Sequence, residues 1–116
     1  MVGWLVAKPL RHVTLLSDLT EAEAVALGPL LKRIAAALHE VLKPAKVYSL
    51  LFAEQEGFSH VHFHLVPRDV NLPRELRGPA IFRLMERART EGNLADPAEA
   101  ASAVALIKRA LARGSE

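Results

Sequence analysis

Cysteine is absent from the 116-residue chain. Disulfide bridges, thiolate nucleophiles and zinc sites built on cysteine are therefore excluded. Disulfides are typical of oxidising compartments, and the opening residues before Lys8 and Pro9 lack the basic, apolar pattern of a secretory leader. We therefore expect a cytoplasmic protein.

The sequence also has few aromatic residues, a small net charge and no long apolar run. Aromatic side chains make up 5% of the sequence and the net charge is only +2. This weak positive charge suits a small anionic ligand but does not predict DNA or RNA binding. The apolar runs fall well short of the roughly 18 residues that a transmembrane helix needs, so no membrane contact is expected. With 51% hydrophobic and 24% charged residues, the composition predicts one globular domain over residues 1–116.

A long amphipathic helix gives the strongest local signal. Thr20, followed three residues later by Glu23, forms a capping-box pattern, which predicts a helix start. Leucine and isoleucine then recur at helical spacing, so one face of the helix should be buried. Gly28–Pro29 should bend the helix and Lys43–Pro44 should end it.

The other apolar segments predict an α+β fold in which helices pack on an antiparallel sheet. We expect strands at residues 4–7, 47–53 and 60–66, helices at 81–89 and 96–113, and the two helices in a C-terminal extension of about 79–113. Residues 47–53 are too apolar for an exposed sheet edge. A short chain with a modest core and such a strand should form a homodimer.

Three of the five histidines alternate along the third predicted strand, at His60, His62 and His64. Because strand side chains alternate, the three imidazoles should share one open face while the apolar residues between them face the core. Neighbouring imidazoles would lie roughly 6 to 7 Å apart, a distance that spans a phosphate group and its neighbours.

The residues alone leave three interpretations of this face. It is the polar side of a half-buried strand, a metal site completed by Glu54, Glu56 or Asp69, or a site of covalent phosphoryl chemistry. In the third interpretation a neutral imidazole attacks phosphorus near pH 7 and forms a phosphoramidate. Flanking histidines then hold phosphate oxygens and move protons.

The segment His60–Val66 matches every position of the signature of the histidine triad (HIT) superfamily, in which three histidines alternate with apolar residues. Gly3–Val13 and Asp18–Glu21 also resemble the strand, loop and helix entry of HIT domains. The resemblance covers about residues 3–68 and implies a HIT-like antiparallel sheet with packed helices. Only Met1 and Val2 precede the matching part, so we expect a fold that is short at its N-terminus.

This resemblance implies a function. HIT proteins are nucleotide hydrolases and nucleotidyl transferases that act at the α-phosphate of nucleoside phosphoramidates and dinucleoside polyphosphates, and many are homodimers. His62 would be the nucleophile, with His60 and His64 as the supporting, substrate-binding pair, and Ser59 is a further candidate for substrate binding. No metal or other cofactor is needed for the covalent step.

Two departures from the family pattern define an alternative. Trp4 stands where many relatives carry a fourth histidine, and an indole donates one hydrogen bond but neither accepts one nor titrates. Residues 53–60 are shorter than the corresponding loop of many relatives and lack its Gly-Gln-Ser/Thr segment. The alternative is a HIT-fold protein that binds a nucleotide or a partner with little or no catalysis. We assign His12 to a surface or structural role, and Trp4 and Tyr48 to the core.

Overall fold

The computed structural model describes residues 3–54, 57, 59–92 and 96–114. Its strands are β1 (Leu5–Ala7), β2 (Lys46–Leu50) and β3 (Phe63–Arg68), and its α-helices are α1 (Glu21–Leu42), α2 (Ile81–Glu91) and α3 (Pro97–Gly114). The molecule is therefore α+β, as the sequence predicts. Within the described ranges, every helix is too short or too polar to span a lipid bilayer.

The strand that carries His64, the last histidine of the motif, is the centre of the sheet. The three strands are antiparallel in the order β1–β3–β2. His64 lies opposite Val6 of β1 and opposite Leu50 of β2. β3 is thus an interior strand, and backbone pairing on both sides fixes the position of His64.

The predicted start of this strand is wrong by three residues, because β3 begins at Phe63 and runs on to Arg68. His60 and His62 lie on irregular backbone before it. There, the Val61 N–H donates to the Val13 carbonyl at 2.6 Å, so this part of the chain pairs with the loop before α1. The apolar alternation is still obeyed, since the side chain of Val61 is only 1% exposed.

The predicted extent of the second strand is also wrong. β2 covers Lys46–Leu50 rather than residues 47–53, and it lies at an edge of the described sheet. Two of its five residues, Lys46 and Ser49, are polar and exposed, which reduces the apolar character of that edge. The chain departs from extended geometry by Ala53, whose φ is +50°.

Helix α1 begins as its capping pattern predicts. The Glu23 N–H donates to the Thr20 hydroxyl at 3.1 Å, and the Thr20 N–H donates to the Glu23 carboxylate at 2.7 Å. The helix continues through Pro29 and ends at Leu42, followed by Lys43 in the left-handed region with a φ of +50°. The reciprocal hydrogen bonds satisfy two backbone donors that a helix start otherwise leaves unpaired.

The central strand separates two apolar clusters. Leu65 packs in the first cluster with residues of α1 and α3, including Leu38 and Ile107. Val66 packs in the second cluster with residues of the segment 72–81, against which Trp4 also packs. Because consecutive strand residues point to opposite faces, His64 lies on the same face as Val66. The C-terminal helices are thus part of the core, and the histidine face has α2 beside it.

Arg11 joins the loop after β1 to the start of α1. Its guanidinium donates to the Glu23 carboxylate and to the Asp18 carbonyl, both at 2.8 Å. The hydrogen bond from Arg11, together with that from the Thr20 backbone, lowers the pKa of Glu23 from 4.5 to about 2. This ion pair holds the loop that contains Pro9 and His12 against the helix.

The Arg11–Glu23 pair predicts an acid-sensitive contribution to stability. Because the folded-state pKa of Glu23 is below its ordinary value, the ionised carboxylate stabilises the fold above pH 4.5, and this stabilisation is lost as the pH falls to about 2. Glu23→Gln keeps a capping acceptor but removes the charge. We expect the urea midpoint of the wild type to exceed that of the variant near neutral pH and to converge with it at pH 2. An equal difference at both pH values would contradict a role for the charge.

Candidate functional site

The three motif histidines are half-buried and lie at the start of the central strand. His64 is a member of β3, whereas His62 directly precedes it and His60 lies in a bend. The rings of His62 and His64 meet edge to face, with centroids 4.9 Å apart. The structure therefore brings His62 and His64 together and turns His60 toward a different set of partners.

The tautomer of His62 is set by the backbone of its own segment. The His62 Nδ1 atom lies 2.7 Å from the His60 carbonyl oxygen. A carbonyl oxygen only accepts hydrogen bonds, so Nδ1 carries the proton and donates it. In the neutral ring the lone pair is then on Nε2, which has no hydrogen-bond partner among the described residues. His62 therefore offers a nucleophilic nitrogen with a defined orientation.

His60 is engaged by the loop that follows β1. Its Nε2 lies 3.0 Å from the Pro9 carbonyl, to which it donates. In the neutral ring Nδ1 is then an acceptor, and the Val13 N–H donates to it at 3.2 Å. The ring of His12 stacks on that of His60 with centroids 5.1 Å apart, and their two Nδ1 atoms are separated by 3.2 Å. Both nitrogens of His60 thus have partners within the protein.

His64 is enclosed by two aromatic rings. The Trp4 Nε1–H donates to the His64 Nδ1 atom at 3.0 Å. The centroid of the His64 ring lies 5.8 Å from that of Trp4 and 5.5 Å from that of Phe82, edge to face in both cases. Burial lowers the pKa of His64, and the charge of His62 lowers it further. The surroundings of His64 therefore favour the neutral imidazole.

Trp4 reaches this position because of the tight passage of the chain before β1. Gly3 has a φ of +87°, and a Cβ atom at this position would clash with Leu42. Val6 lies opposite His64, and side chains two residues apart share a face, so Trp4 is diagonal to His64 on the same face. From the sequence we assigned Trp4 to the core and found that its indole cannot replace a fourth histidine. That interpretation missed the hydrogen bond from Trp4 to His64.

Several candidate residues lie outside this arrangement. Ser59 is exposed, and its side chain has no hydrogen bond to the described residues. Glu56, proposed as a metal ligand, lies outside the described residues. Among the residues that the structure does describe, no three His, Asp or Glu side chains are grouped so as to hold a metal ion. His12 is exposed, as expected, but its stacking on His60 was not predicted.

Phe82 is the site residue that sequence reasoning missed entirely. It contacts Trp4, His64 and Phe52, with ring centroids 5.2, 5.5 and 5.7 Å away, respectively. It is the second residue of α2, which lies far from the motif in sequence. No spacing pattern connects it to the histidines, so only the docking of α2 reveals the contact.

A cavity of about 210 Å³ lies on the other face of β3. Its lining includes Leu27 and Leu30 of α1, together with Pro9, Val61 and Phe63. Because Val61 and Phe63 alternate with the histidines, the cavity lies behind the imidazoles. It is also smaller than the roughly 300 to 1,000 Å³ that is typical of small-molecule sites. We therefore place the candidate site on the histidine face.

Comparison with known proteins supports the fold. No protein-family model matches the sequence, and no curated protein matches it. Among solved structures, the fold is similar to that of a Zn-bound histidine triad family protein from Mycobacterium smegmatis, with a TM-score of 0.64 and 21% sequence identity. The match covers 97% of this chain and 71% of that chain. At this identity the similarity shows the fold, which is HIT-like α+β.

Proposed function

We propose that this chain is a HIT-like nucleotide hydrolase or nucleotidyl transferase that acts at an α-phosphate through a covalent intermediate on His62. The observation that carries the proposal is the hydrogen bond from His62 Nδ1 to the His60 carbonyl. It gives the ring one defined neutral tautomer, with the Nε2 lone pair available for attack. Since neutral imidazole is a good nucleophile near pH 7, this atom is suited to phosphorus chemistry.

The reaction we propose has two steps. First, the Nε2 lone pair of His62 forms a bond to the α-phosphorus while the bond from phosphorus to the leaving group breaks, and the leaving group departs with that electron pair. The ring then carries positive charge, which the carbonyl of His60 stabilises through the Nδ1–H. Second, the oxygen of water, or of another acceptor that bears an O–H group, forms a bond to phosphorus and loses its proton to solvent. The phosphorus–nitrogen bond breaks in the same step, and its electron pair returns to Nε2.

The neighbouring histidines have different roles in this proposal. His64 lies beside His62, and its environment favours the neutral form, so it can donate a hydrogen bond to a phosphate oxygen or to the leaving group. His60 acts mainly through its backbone carbonyl, because both of its ring nitrogens are already paired. Substrate binding at its ring would require that pairing to change.

The same pairing supports a second candidate function. With Pro9, Val13 and His12 occupying the ring of His60, the rings of His62 and His64 are left to meet a phosphate. The Nε2–H of His64 can donate to an anionic oxygen, whereas turnover also needs stabilisation of the charge that develops at phosphorus. The alternative is therefore a protein that binds a nucleotide, or a partner, with little or no catalysis.

The zinc in the similar mycobacterial structure is a property of that protein. In this chain, the Nδ1 atoms of His12 and His60 are near enough to share one ion, but the described residues supply no third ligand. A zinc site normally takes at least three protein ligands. The described residues therefore do not fit a resident zinc ion, and no step of the proposed reaction passes through one.

The central prediction concerns His62. A panel of adenosine and guanosine phosphoramidates, dinucleoside polyphosphates and nucleotide sugars should reveal a substrate of the wild type. His62→Asn should then lower kcat by roughly a thousandfold or more, because the bond-forming atom is lost. Nucleotide affinity, measured by calorimetry, should change little because little contact area is lost.

The matched control is His39→Asn, since His39 is an exposed histidine on α1. It should leave both turnover and binding unchanged. Wild-type turnover by the His62 variant would disprove covalent attack by this residue. Nucleotide binding by a wild type that turns over none of the panel would favour the binding function instead.

Metal removal gives a further prediction. Since attack by imidazole needs no metal, activity should survive exhaustive dialysis against a chelator. A zinc hydrolase, by contrast, loses its activated water together with the ion. The measurement is the turnover rate before and after dialysis, with zinc content determined on the same samples. Stoichiometric zinc, together with activity that returns only when metal is added, would contradict the metal-free mechanism.

We also propose that the chain forms a homodimer. Both β1 and β2 are edges of the described sheet, and apolar side chains near them remain exposed, including Val6 at 53% and Phe52 at 64%. A second copy that covers an edge would remove this surface from water. Light scattering coupled to size exclusion should give twice the chain mass of 12.7 kDa. A monomer at every accessible concentration would contradict this proposal.

A further inference from the structure

The contact between Trp4 and His64 determines which nitrogen of the His64 ring carries the proton. The indole Nε1–H is a donor only, and it lies 3.0 Å from the His64 Nδ1 atom. His64 Nδ1 must therefore accept this hydrogen bond through its lone pair. In the neutral ring, the proton is then on Nε2, the nitrogen at the opposite side of the imidazole.

We infer that Trp4 is a positioning residue that fixes His64 in the neutral Nε2–H tautomer and so presents an N–H donor to the substrate's phosphate. The phosphate substrate in this inference rests on the proposed function. The tautomer of His64 follows from the hydrogen bond alone. It assigns to Trp4 a role in the chemistry of the site, although the indole itself cannot transfer a proton.

The enclosure of His64 supports this role. Leu50 from β2 and Val6 from β1 lie opposite it in the sheet, and Phe82 from α2 lies against its ring. All three are uncharged. The titratable group that contacts His64 within the described part of the chain is His62, whose charge disfavours a second positive charge. No described anion is therefore positioned to favour the protonated form.

Protonation of His64 would also oppose the hydrogen bond itself. A second proton on the ring would have to occupy Nδ1, where it would face the Trp4 Nε1–H, donor against donor. Trp4 thus acts in the same direction as burial, which lowers the pKa of His64. His62 attacks as a neutral ring, so the site combines a neutral nucleophile with a neutral N–H donor.

The test is nitrogen-15 NMR of the histidine rings in the full-length protein without substrate. In the wild type, His64 Nδ1 should show the shift of an unprotonated, hydrogen-bonded nitrogen and Nε2 that of a protonated one. Trp4→Phe keeps an aromatic ring but removes the donor. In this variant the tautomers of His64 should mix and its pKa should rise, because the bond that favours the neutral form is gone.

Phe82→Leu is the matched control, since it removes a ring contact to His64 but leaves the Trp4 donor in place. It should keep the wild-type tautomer. A protonated Nδ1 in the wild type, or an unchanged tautomer in Trp4→Phe, would overturn the inference. The wild-type spectrum alone decides the matter if Trp4→Phe does not fold.

Kinetics then test the link to catalysis. With the substrate found in the panel, Trp4→Phe should lower kcat about fivefold to tenfold, the effect of losing one neutral hydrogen bond, with little change in KM. The acid limb of its pH profile should move to higher pH. If the tautomers of His64 mix in Trp4→Phe as predicted but this variant keeps the wild-type kcat and pH profile, the role of Trp4 in catalysis is overturned. Because the NMR measurement needs no substrate, failure of the proposed function would be seen separately, as absence of turnover by the wild type.

Discussion

The hydrogen bond from the His62 ring to the His60 carbonyl is the interaction on which the site depends. It forms because the chain at residues 60–62 is not part of the sheet, so a carbonyl can meet the side chain two residues further on. The Val61 N–H donates instead to Val13, which anchors this irregular segment to the loop before α1. That loop is in turn held by the Arg11–Glu23 ion pair. The tautomer of His62 therefore depends on the capped start of α1, on the loop before it and on the segment that leads into β3.

The position of β3 explains the rest of the arrangement. Its Leu65 packs against α1 and α3, and the cavity behind the imidazoles is small, so we place the candidate site on the histidine face. On that side Trp4 and Phe82 contact His64, whereas the Nε2 atom of His62 has no hydrogen-bond partner among the described residues. In place of the expected single open face, the three imidazoles have three different environments. One ring is anchored by a loop, one is fixed by a carbonyl, and one is enclosed by aromatic rings.

Much of the fold follows from local patterns. The capping box at Thr20 and Glu23 predicts the start of α1, and the alternation around the histidines predicts the burial of Val61 and Leu65. These features depend on neighbours in sequence, whose geometry is set by the helix or strand itself. The start of β3 and the edge position of β2 depend on which segments pair, and the contact with Phe82 depends on how α2 docks. Such long-range choices have no signature in a single sequence.

The most direct test of the account is mass spectrometry of the protein quenched during turnover under conditions that preserve phosphoramidates. The account predicts a nucleoside monophosphate adduct on the peptide that contains His62, formed and lost at rates that match turnover. The adduct should be absent from His62→Asn. Product formation in a single turnover without any adduct at His62, or with an adduct on another histidine, would contradict it.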